Sequence, residues 1–134
     1  MNTITISLSI PPPELSPNGR YHWAAKSRQV KKYRAQAQLL CRAQTYEKPR
    51  WKQATVSVVW YHPDRRRRDR DNLQASLKAA FDGIADAGIV DNDSGLIHLP
   101  AALEIDRQNP RVEITIAKCQ PGELPVLKNL RNNS

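Results

Sequence analysis

Arg65, Arg66, Arg67 and Arg68 run straight into Asp69 and Asp71, and a second acidic cluster, Asp91-Asn92-Asp93, follows a helical pattern. Hydrolysis of a phosphodiester needs the scissile group's charge neutralised and a nucleophilic water. A hard cation such as Mg²⁺ serves both needs, and it binds through a few carboxylates plus waters and substrate oxygens. Two aspartates two apart in extended chain project to the same side and can share one ion. A third carboxylate, Asp93 or Asp91, would come from beyond the helix. Neighbouring arginines favour the ionised carboxylates and can grip a nucleic-acid backbone. Two acidic clusters joined by one helix, inside a basic chain, point to a metal-dependent enzyme acting on phosphates.

Each piece also has a plainer reading. Asp71 can cap the helix it opens, with Gln74 three residues on completing a capping box. Asp69 can be an ion-pair partner of the arginines, and the arginine run can be a solvated charge run. The stretch from Asp91 resembles the start of an EF-hand loop, but its twelfth position is Ala102 rather than an acid. Lys78 stands seven residues from Asp71, at nearly the same angle two turns on, and helical side chains lean towards the N-terminus. It reads as a surface lysine, or as a cation reaching back to the acidic pair to steady developing charge. It is the joint occurrence of these pieces around one helix that favours chemistry.

The elements that must position them are legible in outline. Residues 3–10 alternate Ile and Leu with Thr and Ser, a half-buried strand. Pro11, Pro12 and Pro13 end it, and a loop continues to Gly19. A helix is expected over 26–46, with Ser27 as N-cap and a stripe of Val30, Tyr33, Ala37, Leu40 and Gln44, with Cys41 beside it. Lys31, Lys32, Arg28, Arg34 and Arg42 fall largely off that stripe, a basic face open to solvent or phosphate. Residues 54–62 form the clearest strand, with Val56, Val58 and Trp60 on one side. The next helix opens at Asp71, buries Leu73, Leu77, Ala80, Phe81 and Ile84, and ends at Gly88. A short strand is expected within 94–104 and a cleanly alternating one over 111–118. The fold class is α+β, a small mixed sheet of about four strands packed with two main helices.

Composition narrows the partners. The chain has 134 residues, enough for one domain, and 21 Lys+Arg stand against 13 Asp+Glu, a net charge of +8. Such an excess favours a polyanion, nucleic acid or an anionic surface. No apolar run reaches the roughly 18 residues that span a bilayer, and the N-terminus lacks the basic start of a signal peptide. A cytoplasmic protein is expected, with Cys41 and Cys119 as buried thiols. Residues 1–120 are expected to form the domain and 121–134 a tail or an arm on a partner subunit.

Residues 63–74 (PDRRRRDRDNLQ) and 77–94 (LKAAFDGIADAGIVDNDS) resemble the RusA family of Holliday-junction endonucleases of bacteria and their phages. Residues 10–23 (IPPPELSPNGRYHW) are similar to the family's proline-and-asparagine loop, and 110–116 (PRVEITI) to its closing strand. The resemblance implies a homodimer making paired, Mg²⁺-dependent nicks across a four-way DNA junction, with Mn²⁺ as a substitute. A prophage setting is usual for small solitary enzymes of this type. It also implies metal binding by Asp69, Asp71 and Asp93, with Asp91 as an accessory candidate. The family pattern places a catalytic lysine four residues after the second aspartate, a position held here by Ala75, so Lys78 is the candidate for that role. The arginines at 65–68 with Lys31 and Lys32 would hold the DNA. Two other readings use the same surface: a non-catalytic binder of branched nucleic acid, and a nuclease for another structured DNA or RNA.

Overall fold

The computed structural model describes residues 2–119. The tail expected over 121–134 lies outside the described residues. In chain order the elements are β1 (Thr3–Leu8), α1 (Trp23–Arg42), β2 (Ala54–His62), α2 (Arg70–Ser76), α3 (Lys78–Asp86), β3 (Leu96–His98), β4 (Ala102–Ile105) and β5 (Arg111–Lys118), with short 3₁₀ turns at Pro13–Leu15 and Asp93–Gly95. The class is α+β, as expected, with five strands rather than about four. The extra one arises because the ambiguous stretch after Asp93 forms two short strands.

The sheet runs β1-β5-β2-β3, with β4 pairing β2 beyond β3. β5 is antiparallel to both β1 and β2, whereas β3 and β4 lie parallel to β2. The register aligns the buried parity of three strands into rows. Ile4 faces Ile116, which faces Val56; Ile6, Ile114 and Val58 form the next row; Leu8, Val112 and Trp60 the third. All nine are buried, and at about 1.5–3 kcal/mol for each fully buried large side chain these rows are the main stabilising term. The opposite parity stays polar: Thr5 and Thr115 share a hydrogen bond at 3.1 Å across the other face.

α1 spans Trp23–Arg42 instead of 26–46, and its N-cap is His22, whose Nδ1 accepts from the Ala24 amide, rather than Ser27. Tyr33, Ala37 and Cys41 are buried as the stripe requires, with Val30 and Leu40 packed beside them. Gln44 lies past the helix end, and its amide donates to the Thr5 carbonyl on the sheet edge at 2.6 Å.

The helix expected after β2 is two segments meeting at Leu77. In a continuous helix the Leu77 amide would donate to the Leu73 carbonyl. The Ser76 hydroxyl donates to that carbonyl at 2.7 Å, and Leu77 bonds the Gln74 carbonyl instead. Leu77 still points into the core, as do Ala80, Phe81 and Ile84, while Leu73 is partly buried. α3 packs on α1 through Gly83, where an added Cβ would lie 2.2 Å from the Arg34 carbonyl oxygen. Gly88 ends the segment at φ +77°, the left-handed cap conformation that glycine adopts without strain.

Candidate functional site

The loop from Pro63 delivers Asp69 to the head of α2. Asp64 organises that loop. Its Oδ1 accepts from the Arg66 amide at 2.9 Å and from Arg68 Nη2 at 2.9 Å, and these two donors hold its carboxyl below the usual carboxylate range. Arg68 also donates to the carbonyls of Asp64 and Arg66. It therefore folds the loop rather than facing solvent. Arg65, Arg66 and Arg67 remain exposed, and among the described residues Arg65 and Arg67 have no ion-pair partner. Arg70 reaches across to the Ala101 carbonyl at 2.8 Å, tying α2 to the loop before β4.

The cap of α2 is Asp69, whose Oδ1 accepts from the Asn72 amide at 3.1 Å; it is not Asp71, and no capping box with Gln74 forms. The reason is one of register: the helix opens at Arg70, so Asp71 already lies in its first turn. The two aspartates are brought together by this helix start rather than by the pleat of an extended chain. They line one solvent-open hollow with Arg67, Arg68 and Arg70. Asp71 is exposed and makes no hydrogen bond or ion pair among the described residues. Uncommitted carboxylate oxygens of this kind are the donor set of a hard cation that keeps its waters.

The second acidic cluster sits elsewhere. The Asp91 amide bonds the Trp51 carbonyl, Trp51 bridges Val90, and Leu96 pairs with Ala54. Asp91 and Asp93 thus flank the start of β2, whereas Asp69 follows the loop after its end and Asp71 lines a hollow with Val58 and Trp60 of β2 and His98 of β3. Among the described residues no three His, Cys, Asp or Glu side chains gather closely enough to hold a metal. Both Asp91 and Asp93 are exposed, and Asn92 rather than either aspartate caps the 3₁₀ turn at Ser94.

Lys78 does not lean back towards Asp71. Its ammonium bonds Asp82, one turn onward, at 3.2 Å, with 78 % of the side chain exposed. It lines a second hollow with Ala75, Lys26 and Val30 of α1. Lys31 and Lys32 stand exposed further along α1.

One neighbour of the acidic pair escaped the sequence reading. His62 ends β2 on its buried parity, stacked on Trp60 with ring centroids 5.5 Å apart. It lines a proline-walled pocket of about 690 Å³ together with Arg66, Arg68 and Asp69. Burial, then Arg68, lowers its pKa, and its Nε2 has no hydrogen-bond partner among the described residues. The signal was present in the alternation Val56, Val58, Trp60, which places residue 62 inside.

No helix among the described residues is long and apolar enough to cross a membrane. A protein of Xylella fastidiosa, described as uncharacterized, is 33 % identical over 115 residues, covering 84 % of this chain and 74 % of that protein. The family model described as Endodeoxyribonuclease RusA matches residues 12–117. That span takes in the proline loop, the arginine run, both acidic clusters and β5 up to residue 117. The exposed aspartates in their arginine-lined hollow therefore sit on a recognised nuclease scaffold, and the chain belongs to the RusA family of endodeoxyribonucleases.

Proposed function

We propose that this protein resolves four-way DNA junctions by Mg²⁺-dependent hydrolysis, as a homodimer that makes two symmetric nicks, a step of DNA recombination and repair. The observation that carries the reading is the exposed pair Asp69 and Asp71, neither in an ion pair among the described residues, in a hollow lined by Arg67, Arg68 and Arg70. A bound Mg²⁺, or Mn²⁺ on the same oxygen donors, would supply charge neutralisation at the scissile phosphate and lower the pKa of an attacking water. The chain's own residues do the rest. Arg65, Arg66 and Arg67 hold the backbone, and Lys31 and Lys32 extend the basic surface along α1. Such contacts position DNA without reading its sequence.

The lack of a three-carboxylate cluster among the described residues of one copy supports the dimer. Asp93 is the third metal ligand in this reading, with Asp91 beside it as accessory. Among the described residues of one copy it does not gather with Asp69 and Asp71 into a cluster that could hold a metal. In the proposed dimer each site takes Asp69 and Asp71 from one protomer and Asp93 from its partner. A C₂ dimer then carries two equivalent sites for a substrate of two-fold symmetry. Lys78 steadies charge on the phosphate once its ammonium leaves Asp82. That pair is exposed and worth at most about 1 kcal/mol, so little holds it there.

The test is nicking of a synthetic four-way junction by wild type and Asp71→Asn, with and without Mg²⁺. Wild type should give paired nicks only with the metal. The variant should bind the junction and cut at least a hundredfold more slowly, on the scale of losing a directly acting charged group. Binding without cutting by wild type in either Mg²⁺ or Mn²⁺ would sink the proposal and leave a non-catalytic binder.

A further inference from the structure

Trp23 opens α1 with 76 % of its surface exposed, whereas Trp51 and Trp60 are buried. A tryptophan placed so openly at a helix start contributes little to the core. Its ring stacks on His22 with centroids 5.7 Å apart, and Tyr21 beside it is 45 % exposed. Arg20 and Arg28 flank this aromatic run, both exposed and without an ion-pair partner among the described residues, and Lys26 lies one turn into the helix. Aromatic faces interleaved with uncommitted cations are the surface that unpaired bases stack on, because every base has a π-face and every nucleotide brings a backbone phosphate.

The topology puts Lys26, three residues on from Trp23, beside the last turn of α2. Lys26 and Val30 share a hollow with Ala75 and Lys78, and Arg34 pairs with Asp82 and Asp86. α1 and α3 therefore run in the same direction. Trp23 lies one turn before Lys26, at the end of α1 nearest α2.

We infer that Trp23, backed by His22 and flanked by Arg20 and Arg28, is a stacking platform for a base unstacked at the branch point. It is a specificity-determining residue that selects junctions over continuous duplex. This rests on the junction reading above. Unstacking a base costs least where pairing is already interrupted, as at a branch point, and a duplex offers no free base to the platform. Trp23 touches no reacting atom in this account.

Fluorescence tests it directly, since Trp51 and Trp60 are shielded and quenchable emission belongs to Trp23. Full-length protein without divalent metal is titrated with an immobile four-way junction carrying 2-aminopurine at the branch point, and with linear duplex of matched sequence. The junction should quench Trp23, shield it from acrylamide and change the 2-aminopurine signal, and duplex should do none of these. Trp23→Ala should lower the preference for junction over duplex about tenfold, on the scale of one lost base–aromatic stack. Trp23→Phe should keep most of it. An unquenched Trp23 on the bound junction would overturn the inference, as would an unchanged preference in Trp23→Ala. So would shielding of Trp23 in the free protein, which would mean that a second copy covers it. The junction reading fails separately: no nicking by wild type in Mg²⁺, whatever Trp23 does.

Discussion

At Asp69 the helix cap and the proposed metal ligand are the same carboxylate, and substitution can separate the two roles. Asparagine at this position still accepts from the Asn72 amide, so Asp69→Asn should fold as stably as wild type and lose metal-dependent nicking. Alanine loses both, and should cost a further ~1 kcal/mol of stability, the usual worth of such a cap. Urea unfolding beside a nicking assay gives both numbers. Equal stability of the two variants would show that the 3.1 Å contact to Asn72 contributes nothing. Asp71 carries no such double duty, being exposed and uncapped. The sequence invited the reverse assignment, Asp71 as cap, because helix boundaries read from pattern shift by a residue or two. Pattern singled out the residues proposed for the site and not which of them the backbone uses.

At the scale of elements, α1 and α3 are joined on their exposed side by Arg34, whose Nε lies 2.5 Å and Nη2 2.8 Å from the two carboxylate oxygens of Asp86. The Arg34 hydrogen bond holds the Asp86 carboxyl below its ordinary value. A depressed carboxyl stabilises the fold above the unfolded pKa of about 3.9, and that contribution is lost as pH falls through the lower folded value. Both side chains are about a third or more exposed, so screening leaves a fraction of a kcal/mol. Asp86→Asn should therefore lose slightly at pH 7 and match wild type near pH 2. Urea midpoints at the two pH values check this, and a deficit that persists at pH 2 would assign the effect to packing instead. The joint itself was not legible in the sequence, since a strand, a helix and two loops separate α1, which carries Arg34, from α3, which carries Asp86. Strands β1, β2 and β5 were legible because alternation over six or more residues has one physical cause, a sheet buried on one face. The break at Leu77 was not, because it turns on one Ser76 hydroxyl taking the Leu73 carbonyl. Nor were β3 and β4, which are too short to show a period.

At the scale of the whole molecule, β2 sets the geometry of the proposed reaction. The strand delivers one acidic pair at its end, and α2 and α3 return the chain to its start, where the second cluster emerges. Spacing along the sequence suggested one three-aspartate site; among the described residues of a single copy the three do not gather into a cluster that could hold a metal. If each site draws on both protomers, inactive variants must rescue one another. Asp71→Asn lacks a functional first cluster and keeps Asp93; Asp93→Asn keeps Asp69 and Asp71. A heterodimer of the two, isolated with distinct tags, rebuilds one complete site from the Asp93→Asn protomer's first cluster and the other protomer's Asp93. It should nick one strand of a junction at about half the wild-type rate per dimer, from one intact site of two. Its products should be single nicks rather than paired ones, while each homodimer stays inactive. A site contained within one copy predicts the opposite, because in that heterodimer every protomer carries a lesion of its own. Silence from the heterodimer, with junction binding intact, would therefore return all three aspartates to a single chain and require the structure around Asp93 to rearrange on binding DNA.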